Sequence, residues 1–117
     1  MKVVLDTNVL ILPFTDKIDV FSDLDTLQEE YGRLEPVVPQ LCLLELEKVR
    51  PDLYPAVLKL VSKHTSVVFI QGDDTDSAIL DYCLKHSAAL VTLDKELLKR
   101  AKHLGIKTIT VKNFKLR

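Results

Sequence analysis

Short, densely apolar runs alternate along this chain with longer stretches in which apolar residues recur every three or four positions. Val3-Val4-Leu5, Val67-Val68-Phe69-Ile70 and 88–93 are of the first kind and read as buried strands, and 106–111 reads as the last strand. Pro36-Val37-Val38-Pro39 reads as a short extended piece, with Pro39 entering the first turn of the helix that follows. The helical pattern begins with a helix capped by Thr15 and running to about Glu30. Ile18, Phe21, Leu24, Leu27 and Tyr31 mark its inner face, and Gly32 ends it. Further helices are expected over 40–50, over 56–63 after the breaks at Pro51 and Pro55, from the 71–76 loop to about His86, and over 95–104. Helical crossovers between strands imply an α/β fold, with a parallel sheet covered by helices on both faces.

Composition changes this picture little. A length of 117 residues with 47% apolar content fits one domain spanning 1–117, with a core that needs no staples. No apolar run approaches the roughly 20 residues that cross a bilayer, and Asp6 interrupts any signal-peptide core, so no membrane partner is expected. Cys42 and Cys83 each lie inside an apolar helical pattern; they read as buried free thiols, which suggests a reducing, cytoplasmic setting. Charge is informative. Residues 1–94 hold 8 Lys and Arg against 16 Asp and Glu, whereas residues 95–117 hold 8 against one. An acidic body with a basic end suits an anionic partner.

The candidate chemistry lies where the apolar runs stop. Asp6 follows the first strand, Asp76 closes the loop after Ile70, and Asp94 follows the strand over 88–93. Parallel strands bring their carboxyl ends to one rim, where ligands of α/β sheets bind. On the 40–50 helix, Glu45 falls between Leu41 and Val49 on the apolar side while Glu47 falls opposite, so Glu45 is a fourth candidate. Each acid also has an ordinary reading, as a helix cap or as a boundary residue whose head reaches water. Four together repel one another, and a divalent cation relieves that repulsion. An all-oxygen set without His or Cys favours Mg²⁺ or Mn²⁺ over zinc. The implied reaction is phosphodiester hydrolysis. The acidic 71–76 loop lacks the Gly and the terminal Glu of a calcium-binding EF-hand loop.

Four stretches then match a known family in order and spacing. Residues 3–10 (VVLDTNVL), 39–49 (PQLCLLELEKV), 76–80 (DSAIL) and 90–106 (LVTLDKELLKRAKHLGI) resemble the motifs of the PIN-domain nucleases. The resemblance implies a three-layer α/β/α fold around a parallel sheet of four to five strands, and metal-dependent endoribonuclease activity. It puts the acidic site on Asp6, Glu45, Asp76 and Asp94, with Asn8 and Thr92 as supporting polar residues. One position departs: where the family often has Asn before the fourth Asp, this chain has Leu93. The chain is similar to stand-alone toxins of toxin–antitoxin pairs and to archaeal relatives of ribosomal-RNA-processing nucleases. Its expected partners are RNA, an antitoxin or a ribosome-assembly protein, and a second copy of itself.

Two other readings compete with an enzyme. A PIN-fold module that binds RNA or protein without turnover would have no use for four mutually repelling acids. A phospho-acceptor receiver domain needs an acid adjacent to the first, which Asp6 lacks, although Lys112 follows the last strand. For RNA binding, Lys95, Lys99 and Lys102 share one face of the helix after Asp94, opposite Leu97, Leu98, Ala101 and Leu104. With only 7 aromatic residues in the chain, base-stacking platforms are not expected.

Overall fold

Val3, Val4 and Leu5 carry no polar side chain, so the strand they form needs cover on both faces and neighbours on both edges. The computed structural model, which describes residues 1–112 and 115–117, gives that strand both. Strand β1 (Lys2–Leu5) pairs in parallel with β2 (Glu35–Pro39) on one side and β4 (Ala89–Val91) on the other. Strand β3 (Ser66–Val68) adds outside β2, and β5 (Thr108–Ile109) adds outside β4. The five parallel strands therefore run in the order β3-β2-β1-β4-β5. Val3, Val4, Leu5, Leu90 and Val91 are fully buried, as central strands covered on both faces must be.

Helices fill every crossover. Between β1 and β2 lie α1 (Thr7–Leu10), α2 (Leu12–Thr15) and α3 (Val20–Tyr31). Between β2 and β3 lie α4 (Gln40–Val49) and α5 (Tyr54–His64). Helix α6 (Thr75–His86) leads into β4, and α7 (Lys95–His103) leads into β5. The chain steps outward from β1 to β3, returns to the far side of β1, and steps outward again to β5. Right-handed crossovers in opposite directions assign α1–α5 and α6–α7 to opposite faces, which gives three layers. The order reverses between β1 and β4, so a crevice opens beyond the carboxyl ends of those two strands. No helix among the described residues is long and apolar enough to cross a membrane.

Several boundaries differ from expectation. The first long helix begins at Val20, because Asp19 accepts from the Ser22 N–H as its N-cap. Thr15 instead closes α2, bonding the Ile11 carbonyl, and Lys17 then takes a left-handed turn at φ 55°. The end of α3 is as read: Gly32 at φ 78° returns its N–H to the Gln28 carbonyl, a conformation that suits glycine. The run Val67–Ile70 is not a doubly buried strand. Only Ser66–Val68 pairs, at the edge of the sheet, and Phe69 is 82% exposed. The stretch 106–111 is divided: β5 stops at Ile109, and Val111–Lys112 (β6) turns away to pair antiparallel with Lys115–Leu116 (β7). Leu116 is buried, and its N–H donates to Asp23 Oδ2 at 3.1 Å, which fastens this ribbon to α3.

Candidate active site

The carboxyl end of β1 shows how a chain turn becomes a site. Strand pairing continues one residue past Leu5, with the Asp6 N–H bonded to the Val91 carbonyl at 3.0 Å. The backbone then turns into α1, and Asp6 caps it by accepting the Thr7 N–H at 2.8 Å. The ordinary reading of Asp6 as a cap is therefore realised, but it uses one oxygen. Oδ2 accepts the Thr92 hydroxyl at 2.7 Å, and Oδ1 also lies 3.8 Å from the Cys42 thiol, which donates to it. Three donors from three elements fix a carboxylate that is 8% exposed.

Thr92 makes the link between strands. It is fully buried just past β4, and its hydroxyl accepts the Asp94 N–H at 3.1 Å while donating to Asp6. Asp94 caps α7 through Oδ1, which accepts the Glu96 and Leu97 N–H groups. Asn8 closes the other side, its Oδ1 accepting the Leu93 N–H at 3.2 Å. The family's usual Asn at position 93 is thus replaced by a residue held through its backbone.

Asp76 and Glu45 approach from the two helical layers. At the start of α6 the capping role falls to Asp74, which accepts the Ser77 N–H and hydroxyl. Asp76 is left free to line the crevice. Burial, then the charges of Asp6, Asp74 and Asp94, push its carboxyl pKa up; Arg100 works against them. Glu45 corrects the sequence reading in one respect. The buried face of α4 is Cys42, Leu43 and Leu46, while Val49 is 60% exposed and Glu45 itself is exposed. Glu45 does not point into the core but into the crevice wall, where Thr7 Oγ1 donates to it at 3.4 Å.

Together these residues line a cleft of about 230 Å³: Asp6, Thr7, Asn8 and Ile11 from β1 and α1, Glu45, Leu46, Val49 and Arg50 from α4, then Asp76 and Asp94. Arg50 escaped the sequence reading. It sits at the end of α4 and forks onto Asp52 at 3.0 and 3.1 Å. Cys42 was legible only as a core residue; burial pushes its thiol up to about 12, so the S–H is the donor toward Asp6. Cys83 is also a buried free thiol. A larger hollow of about 560 Å³ between α3 and α5 contains Lys17, Asp19, Asp25 and His64 and none of the predicted site residues. Lys95, Lys99 and Lys102 are all exposed along α7.

Among the described residues, no three Asp, Glu, His or Cys side chains converge tightly enough to cage an ion. The donor set nevertheless suits Mg²⁺ or Mn²⁺. It is all oxygen, and Mg²⁺ keeps most of its waters and takes only one or two carboxylates plus substrate phosphates. Asp6 is already oriented, and Asp94 Oδ2 accepts no hydrogen bond among the described residues.

The chain as a whole is similar to known proteins. Residues 3–113 match the family described as PIN like domain. Ribonuclease VapC9 of Archaeoglobus fulgidus is 32% identical over 110 residues, covering 88% of this chain and 77% of its own. The structure of the PIN domain endonuclease Utp24 superposes with a TM-score of 0.82 at 27% identity, covering 99% of this chain and 89% of that one. VapBC2 from Rickettsia felis, bound to a DNA fragment from its promoter, shares the fold with a TM-score of 0.67 at 14% identity, covering 94% and 98%. With a matching family signature over nearly its whole length and a five-stranded sheet of the same architecture, the chain belongs to the PIN-like domain family.

Proposed function

We propose that this protein is an endoribonuclease that hydrolyses RNA phosphodiester bonds in the acidic cleft, with Mg²⁺ or Mn²⁺ as cofactor. The observation that carries this reading is the gathering of Asp6, Glu45, Asp76 and Asp94 at the point where the strand order reverses. The naming of two relatives as a ribonuclease and an endonuclease supports it. Asp6 and Asp94 would hold the ion, with Asp76 and Glu45 alongside. The chemistry it supplies there when bound is a lowered pKa for water and positive charge against phosphoryl oxygens. Thr92 keeps the Asp6 carboxylate and the Asp94 backbone in register, and Asn8 holds the intervening loop. Burial first, then the charges of Asp6, Asp74 and Asp94, raise the Asp76 pKa, and a bound cation would oppose that repulsion. RNA cleavage serves either of two settings, RNA processing or the toxin of an antitoxin-controlled pair.

The test is incubation of purified protein with mixed RNA and DNA oligonucleotides in Mn²⁺ and in EDTA. Cleavage of RNA is expected in Mn²⁺ and none in EDTA. Attack by water leaves one end with a phosphate and the other with a hydroxyl, and the family resemblance implies 5′-phosphate and 3′-hydroxyl, whereas cyclic 2′,3′-phosphate ends would mean that the ribose hydroxyl attacks and would overturn the mechanism.

An acidic cleft needs cations beside it to hold a polyanion, and Lys95, Lys99 and Lys102 begin one residue beyond Asp94. For a single strand, log K falls against log salt with a slope of about 0.7 per phosphate contact. Lys99→Glu combined with Lys102→Glu is expected to weaken RNA binding across sequences and to flatten that slope by roughly one to two units. Parallel slopes with equal affinities would put the RNA elsewhere, such as across a dimer groove.

A further inference from the structure

A further hollow, about 460 Å³ in size, lies between α6 and α7. Its surface combines two chemistries. Leu80, buried, and Leu104, 45% exposed, give it apolar walls; Lys99, Arg100 and His103 add donors, and Glu96 adds one acceptor. Leu104 is left partly in water just past the end of α7, which is unfavourable for folding. A group with an apolar plane and an attached anion would satisfy both kinds of lining, and a nucleotide is such a group.

We infer that this α6–α7 groove seats a nucleotide flanking the scissile bond, its base against Leu80 and Leu104 and its phosphate on Arg100 and Lys99. The inference rests on the ribonuclease reading above. The basic lining and its nearness to the cleft, through Arg100, are what favour RNA over a protein partner. Arg100 Nη2 donates to Ser77 Oγ at 3.0 Å, and Nη1 lies 3.8 Å from Asp74 Oδ2. Both partners belong to the first turn of α6 or its cap, beside Asp76, so Arg100 links the groove to the helix start that carries a residue of the cleft. Its contacts there are half exposed, and exposed ion pairs are weak. An arriving phosphate, with geometry suited to a guanidinium fork, competes for the same donors. A wall of leucine offers apolar contact without an edge to read, which makes the subsite tolerant of sequence; Glu96 is its one acceptor for a base amine.

Arg100→Gln and Leu104→Asp separate the two halves of the subsite. With a fluorescein-labelled single-stranded RNA and Mn²⁺, each is expected to raise KM by about tenfold, the scale of one lost phosphate or base contact, with kcat nearly unchanged. Only Arg100→Gln should flatten the salt slope, by about 0.7. Leu104→Met should restore KM, and unchanged melting temperatures would exclude unfolding. If wild type cleaves RNA and both variants match it in KM and slope, the groove is not part of the RNA path and the ribonuclease reading stands. Variants that keep wild-type KM but lose binding to an acidic amphipathic peptide would assign the groove to a protein partner and overturn the inference. A wild type that neither binds nor cleaves RNA would remove the reading beneath it.

Discussion

Asp94→Asn is expected to stop RNA cleavage while the protein stays folded. Asp94 has two roles that this substitution separates. As the cap of α7 it accepts two backbone N–H groups through Oδ1, and an amide oxygen does this as well. Losing the carboxylate at a helix N-terminus costs about 0.3–1 kcal/mol through the helix dipole. Removing one of several mutually repelling charges offsets that cost, since Asp94 is among the groups that raise the Asp76 pKa. Stability should therefore change by less than about 1 kcal/mol, whereas cleavage should fall by roughly 100-fold or more, the scale of losing a group that stabilises reacting charge. Asp6→Asn should lose activity equally but be less stable than Asp94→Asn. The buried Thr92 hydroxyl donates to Asp6 Oδ2, and an amide nitrogen in that position leaves it without an acceptor, at a cost of about 1–3 kcal/mol. Thermal melts beside cleavage assays in Mn²⁺ check both statements. Full activity in Asp94→Asn would reduce Asp94 to a cap.

The centre of this fold was legible because its signals are local. An unbroken apolar run at β1 and another at β4, each ended by a polar residue and a helix, can only be covered strands. Edges were less legible. Val67-Val68-Phe69-Ile70 carries the same apolar signature, yet Val67 and Phe69 face solvent and only Ile70 among the last two is buried. A run of apolar residues measures what a strand would gain from cover, not whether its position in the sheet supplies that cover, and β3 lies at the edge. The start of α3 failed for a related reason. Thr15 and Asp19 are both acceptable caps, and the left-handed turn at Lys17 that selects Asp19 leaves no mark in the sequence.

The same division runs through the site. Asp6 and Asp94 follow the strands β1 and β4, and that position singled them out in the sequence; Thr92 was singled out only by the family resemblance. Asp76 was one of several acids in a loop; the structure distinguishes it because Asp74 does the capping. Arg50, Arg100 and Cys42 reach the cleft or its edge through the packing of α4, α6 and α7 on the sheet. No periodicity within one helix reports the distance to another.

Helix phase separates Glu45 from Glu47 on α4. Position 47 lies about 200° further round the helix than position 45. In the structure Glu45 lines the acidic cleft and accepts the Thr7 hydroxyl, whereas Glu47 is exposed and outside the cleft lining. Thr7 also follows Asp6 directly and donates its N–H to that carboxylate, so Glu45 and Asp6 are coupled through one residue. Glu45→Gln keeps the size of the side chain and an oxygen for Thr7 while removing the charge. It is expected to lower RNA cleavage by at least about tenfold, in the range seen when a group supporting a metal site is lost. Glu47→Gln should stay within about twofold of wild type, as surface changes away from a site do. Raising the Mn²⁺ concentration should recover part of the Glu45→Gln loss if the charge contributes to ion binding. Equal activities for the two variants would remove Glu45 from the site and leave a three-acid cleft of Asp6, Asp76 and Asp94.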